Sequence, residues 1–182
     1  VESQKERRLL TPEDLFHMRD GDQYFKWSPD SKWLLVEWGK SLSNSEVLLL
    51  AADGSKRLNL TQSGYYDSRP QWVNQGKQML WLSNRNGLKS YATSGRSQMD
   101  VYSMFFQQEA WDAFNLTEEE WKLQKAIDAA LKKDSKSKKG TNADSTKVTN
   151  AAKVNTNKDS AMVQTLVFDW KNMQDRKKRL SI

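Results

Sequence analysis

A fifteen-residue pattern recurs in this chain, and any fold must accommodate both copies in equivalent ways. Tyr24–Trp38, YFKWSPDSKWLLVEW, aligns with Arg69–Ser83, RPQWVNQGKQMLWLS. Trp27 falls on Trp72, 45 residues on, and Leu35 falls on Leu80. The turn Ser28-Pro29-Asp30-Ser31-Lys32 falls on Val73-Asn74-Gln75-Gly76-Lys77. Each copy is followed by a similar tail. EVLLLAADGSKRLNLT ends at Thr61 and TLVFDWKNMQDRKKRLSI at Ile182, and Lys-Arg-Leu-Asn-Leu aligns with Lys-Arg-Leu-Ser-Ile. ERRLLT, ending at Thr11, reads as a third relic of the same tail. Both chain ends therefore fall on unit boundaries, as expected of an excised fragment.

The local chemistry of the repeat predicts strands. Pro29 presets φ and Asp30 bonds its own backbone, giving a hairpin between Lys26-Trp27 and Trp33–Trp38. Ser83–Gly87, SNRNG, predicts a second tight hairpin with positive φ at Asn86-Gly87. Trp33–Trp38 is largely apolar on both faces, with Glu37 the charged exception, as is Val47–Leu50, so each strand is expected to lie between neighbours. A period of 45 residues built from such strands is that of a β-propeller blade, with the tryptophans filling the space between blades. The expected fold class is all-β: about two propeller blades of antiparallel four-stranded sheet, with a helical, partly disordered insertion. The expected boundaries are 1–11 for the end of a preceding blade, 24–61 for one blade and 69–182 for the next.

The second blade is long because residues from about 107 to 161 interrupt it. In NLTEEEWKLQKAIDAALKK, Thr117 and Glu120 form a capping box, and glutamates and lysines sit at the helix ends they favour. Leu123, Ile127, Ala130 and Leu131 recur at helical spacing, predicting a helix over 118–133 whose apolar face packs on its own domain. Residues 134–160 lose all periodicity and are expected to be disordered. This segment also explains the composition. The chain is only 37% hydrophobic, with a mean hydropathy of -0.86, yet it holds eight tryptophans. Ten lysines and four aspartates between Lys122 and Asp159 carry the whole net charge of +6, leaving the repeats neutral. A mobile lysine-rich insertion does not make the fixed basic surface that nucleic acid requires.

Chemistry-bearing motifs are sparse. His17 is the sole histidine, and with no serine marked as its partner it reads as a structural or surface residue. Without cysteine, and with one histidine, zinc ligation has no donor set. Asp20 and Asp22 read as turn residues, since a calcium loop with its terminal glutamate is missing. Asn59 and Asn115 begin formal N-L-T glycosylation sequons, read as coincidence. No run approaches the ~20 apolar residues of a membrane span.

The W-S-P-D-[GS]-K block, its apolar strand, the A-D-G turn and R-L-[TN] resemble the repeat of TolB-like propellers. DGDQYFKWSPDSKWLLVEW, MDVYSMFFQQEAWDAFNLTEEEW and DWKNMQDRKKRL, in that order, are similar to the N-terminal propeller of bacterial tricorn-like serine peptidases. The chain departs from that pattern where Ser31 replaces the usual glycine and where VNQG replaces the second SPDG. The resemblance implies a non-catalytic propeller segment that admits or sorts peptides for a serine nucleophile in a separate, more C-terminal domain. It implies no catalytic, cofactor or metal residue here. Its implied partners are a peptide or protein substrate, the remaining blades and the peptidase domain of the same parent chain, with no nucleic acid and no membrane insertion. Unpaired edges also predict self-association of the fragment. The implied compartment is the periplasm, with the cytoplasm as the alternative. A stand-alone TolB-type propeller, mediating protein–protein interaction at the cell envelope, is the competing reading.

Overall fold

A computed structural model describes residues 6–11, 23–41, 44–90, 96–137 and 165–181. The chain is mostly β and divides into two compact units: residues 1–111 with 163–182, and residues 112–162. The first unit holds two four-stranded antiparallel sheets. Sheet 1 runs in order through β1 (Phe25–Trp27), β2 (Trp33–Ser41), β3 (Asn44–Ala51) and β4 (Arg57–Asn59). Sheet 2 repeats the order with β5 (Asp67–Val73), β6 (Gln78–Ser83), β7 (Asp100–Phe105) and β8 (Lys177–Arg179).

The first two strands of each sheet are in matched register. Lys26 pairs with Leu35 and Trp27 with Leu34; 45 residues on, Gln71 pairs with Leu80 and Trp72 with Met79. The turns match as well. Ser31 has φ +55° and Gly76, its counterpart, +86°. Both occupy the left-handed region, where only glycine is free of Cβ strain, so Ser31 is held there by its turn. The Ser28 hydroxyl accepts the Trp33 amide at 2.9 Å and donates to Asp30 Oδ1 at 2.6 Å. Asp30 Oδ1 also accepts the Lys32 amide at 3.2 Å.

Three sequence expectations are corrected here. First, β6 and β7 are not joined by a tight hairpin. Among the described residues the longer connection carries one bridge, Lys89 to Ser97, and neither Asn86 nor Gly87 has positive φ. Gly87 is needed for a different reason: a Cβ there would sit 2.2 Å from the Gln98 carbonyl oxygen. Second, the third strand of sheet 2 is Asp100–Phe105, and Thr165–Trp170 joins neither sheet. The long interruption therefore lies between β7 and β8, where sheet 1 has only a short turn. Third, the Lys-Arg-Leu alignment is two residues out of step. Leu60 donates its amide to the Val47 carbonyl and Leu180 donates its own to Val101, both at 2.8 Å. These bonds pair Leu60-Thr61 with Leu180-Ser181.

One core cluster lies between the sheets. Leu35, Val47, Leu49 and Leu60 from sheet 1 pack with Met79, Trp81, Tyr102 and Met104 from sheet 2. The opposite face of sheet 1 carries Leu34, Val36, Leu48 and Leu50, covered in part by Leu9 and Leu10. The repeat register shows which faces meet. Met79 and Trp81 are the counterparts of Leu34 and Val36, and Tyr102 and Met104 those of Leu48 and Leu50. Sheet 2 thus presents to sheet 1 the very face that sheet 1 turns away, and the two stack head to tail. Trp72 lies within this interface, 5.3 Å from the Phe106 ring, and donates Nε1 to the Lys26 carbonyl at 3.1 Å. Its counterpart Trp27, on the corresponding face of sheet 1, is 50% exposed.

Thr165–Trp170 returns from the interruption into the inter-sheet core. Phe168 is buried against Trp33 and Trp170, both at 4.9 Å, and against Phe106 at 5.1 Å. The Leu166 amide reaches Asp30 Oδ2 at 2.8 Å. Arg176, also buried, donates to the carbonyls of Phe105, Asp169 and Lys171, clamping the chain on either side of the interruption.

After β7 come α1 (Gln108–Asn115) and α2 (Glu118–Ser137). Thr117 and Glu120 exchange the bonds of a capping box: the Glu120 amide to Thr117 Oγ1 at 3.3 Å and the Thr117 amide to Glu120 Oε2 at 2.8 Å. The helix continues past Lys133 to Ser137. Its apolar stripe is not packed: Leu123, Ile127 and Leu131 are exposed. The segment expected to be disordered lies, from residue 138 onward, outside the described residues.

Candidate functional site

A groove of about 500 Å3 opens between the sheets, lined by Tyr24, Glu37, Tyr66, Ser68, Arg69 and Leu82. Backbone irregularity builds it. The β5–β6 register shifts between Ser68 and Gln71, and Arg69 takes φ +52° within that bulge. Bulges redirect a strand locally. Here the bulge aims the Arg69 amide at Glu37 Oε2, at 3.1 Å.

Glu37 is the centre of the groove. Its own amide donates to the Tyr24 carbonyl at 3.0 Å, and its Oε1 lies 3.5 Å from the Tyr66 hydroxyl. The Tyr24 hydroxyl in turn accepts Gln71 Nε2. Tyr66 is held from the other side, its amide donating to Asn84 Oδ1 at 3.0 Å. The result is a carboxylate held by the Tyr66 phenol and the Arg69 amide in a groove also lined by Tyr24. Such a surface recognises polar or basic groups by hydrogen bonding. It holds no nucleophile paired with a base.

A second polar cluster joins the two sheets. Glu46 and Asp67 are both buried. Glu46 accepts the Thr61 hydroxyl at 2.5 Å and the amides of Ser63 and Gly64 at 3.0 and 2.9 Å. Asp67 accepts Trp81 Nε1 at 3.1 Å and the Ser63 hydroxyl. Lys177, from β8, donates to the Thr61 carbonyl at 3.0 Å. Burial and the nearby Arg85 charge push the Lys177 amine below its ordinary range, against the pull of Asp67, Glu46 and Asp175. These bonds fix the Thr61–Tyr66 connection that carries the chain from one sheet to the next.

His17, Asp20 and Asp22 lie outside the described residues. Asn59 serves the fold: its Oδ1 accepts the amides of Thr61 and Gln62, each at 3.2 Å, and closes the turn after β4. Asn115 ends α1. Among the described residues, no three His, Cys, Asp or Glu side chains converge as a metal site would require, and no helix is long and apolar enough to cross a membrane.

The groove was not legible as a motif, because Glu37, Tyr66 and Arg69 meet only through sheet stacking and a bulge. No protein-family model matches this chain, and neither a curated protein nor a solved structure does.

Proposed function

We propose that this chain is a non-catalytic segment of a β-propeller from a tricorn-like serine peptidase, acting as scaffold and as a peptide-substrate gate. The supporting observation is the head-to-tail stacking of two sheets in matched register. A self-contained sandwich buries like faces against each other and ends there. Stacking of unlike faces leaves a complementary face without a partner sheet at each end, so it extends by adding copies and is compatible with ring closure. Trp27, half exposed where Trp72 is partly buried, marks one such end, whose Leu34, Val36, Leu48 and Leu50 pack against Leu9 and Leu10 and not against a third sheet. At the other, Leu80, Leu82 and Val101 are half-buried, although Leu35 and Val47, the counterparts of Leu80 and Val101, are fully covered.

In this reading the remaining blades and the peptidase domain belong to the same parent chain, in the periplasm. The Glu37 groove offers an extended peptide a carboxylate for its basic or polar groups on the way to a distant active site. The test is to compare the full-length parent protein with a variant lacking the propeller, against long and short peptides. Altered length selection supports the gate; unchanged cleavage of both removes it. A parent with no serine-inhibitor-sensitive peptidase activity would replace this reading with that of a stand-alone binding propeller.

A further inference from the structure

The Glu46 latch has a counterpart in sheet 2. Asp100 stands 54 residues after Glu46, at the start of β7, and Ser181 stands where Thr61 does. The Val47 amide donates to Thr61 Oγ1 at 3.0 Å, and the Val101 amide to Ser181 Oγ at 3.0 Å. Thr61 then donates its hydroxyl to Glu46, and Ser181 donates its own to Asp100 Oδ1 at 2.8 Å. The two latches share residue chemistry, strand position and bond pattern.

They differ in the acid and in its second oxygen: Asp100 is one methylene shorter than Glu46, and Arg179 bonds it where the first latch has Asn59. Glu46 uses both oxygens: Oε2 takes the Thr61 hydroxyl and, at 3.0 Å, the Ser63 amide, which Oε1 shares at 3.1 Å, while Oε1 also takes the Gly64 amide at 2.9 Å. On Asp100, Ser181 and Arg179 both converge on Oδ1, Arg179 at 2.9 Å. Oδ2 is buried and has no hydrogen-bond partner among the described residues. A buried carboxylate oxygen without a donor is costly, so it marks a place where a donor belongs. The Ser181 and Arg179 bonds hold this carboxyl below its ordinary value, Ser181 contributing most, which keeps it an anionic acceptor at neutral pH.

We propose that Asp100 is a binding site for polypeptide main chain: its Oδ2 takes the consecutive backbone N–H groups of a turn placed two and three residues beyond Ser181, as Glu46 takes those of Ser63 and Gly64. The site deepens the stacking reading given above, on which it rests, by naming the contact that would lead the chain from sheet 2 into a further sheet. Its occupant is a short turn of Ser-Gly character, since Gly64 has φ +71° and that turn needs left-handed backbone.

The test uses the whole chain with Ser-Gly appended after Ile182, and reads amide hydrogen exchange by NMR. The expected result is that the two added amides exchange at least about tenfold slower than in an unstructured peptide, the factor expected of bonds to a charged acceptor. The protection should vanish in Asp100→Asn, while the Trp81 and Met104 signals of the core remain in place. In a parallel variant, Glu46→Gln, the Ser63 and Gly64 amides should lose protection in the same way. Added amides that exchange freely in the unsubstituted chain overturn the proposal, as does protection that survives Asp100→Asn. Either failure leaves the peptide-gating experiment unaffected, so the two readings can fall separately.

Discussion

Replacing Phe168 by alanine tests whether the aromatic cluster between the sheets holds the fold together. The ring is only 8% exposed and has three aromatic neighbours between 4.9 and 5.1 Å, with Trp72 further out at 6.4 Å. Truncation of a buried phenylalanine costs about 3–5 kcal/mol through lost burial and the cavity left behind. Aromatic pairs add about 0.5–1.5 kcal/mol each beyond burial, so the expected loss is in the upper half of that range, about 4.5 kcal/mol. Phe168→Leu keeps most of the volume and gives up the ring contacts, with an expected cost of about 1.5 kcal/mol. Against a typical domain stability of about 5–15 kcal/mol, the alanine variant should unfold at clearly lower urea, followed by tryptophan fluorescence. A cost below about 1 kcal/mol for Phe168→Ala would mean that residues after the interruption do not return between the sheets.

Ser31→Gly should stabilise the protein by about 0.5 kcal/mol, because relief of left-handed strain slightly exceeds the freedom glycine adds to the unfolded chain; a loss of stability in the same urea titration would contradict the φ of +55°. Gly87→Ala should cost about 2 kcal/mol, since its Cβ would overlap the Gln98 carbonyl oxygen, a backbone atom that cannot swing away. Thr117→Ala should lower α2 helicity by circular dichroism, at a cost of about 1 kcal/mol to that helix, and leave the urea midpoint of the sheets unchanged. Burial opposes charge on Asp30, but the Ser28 hydroxyl, the Leu166 and Lys32 amides and the Lys32 charge outweigh it and hold the carboxyl below its ordinary 3.8. A depressed folded value contributes stability that is present above 3.8 and lost as pH falls through the folded value. Asp30→Asn should therefore flatten the pH dependence of stability below about pH 4, and an unchanged acid limb would refute the assignment.

Much of the sheet pairing was visible in the sequence, and the reasons are specific. The β1–β2 and β5–β6 hairpins carry their register in local features: a tryptophan before the turn, a left-handed position within it and an apolar strand after it. The third strand of sheet 2 was hidden because Asp100–Phe105 mixes Asp, Tyr and Ser with apolar residues, whereas Thr165–Trp170 has the greasier sequence. Phe168 is buried because it fills the inter-sheet space, without pairing in a ladder, and no periodicity distinguishes the two. Lys178-Arg179-Leu180 imitates Lys56-Arg57-Leu58, yet the hydroxyl latch at Thr61 and Ser181 sets the true equivalence. The Glu37 groove depends on a bulge at Arg69 and on contacts across 29 and 32 residues of sequence, to Tyr66 and Arg69, which no spacing rule encodes.

Methyl and aromatic NOEs across the sheet interface probe the head-to-tail stacking directly. Cross-peaks should link the Leu35 and Leu49 methyls with the Met79 and Met104 methyls and the Trp81 ring. Leu34 and Leu48 should instead connect to Leu9 and Leu10. Cross-peaks from Leu34 or Leu48 to Met79 or Trp81 would place like faces together, and the account of an extendable stack would be wrong.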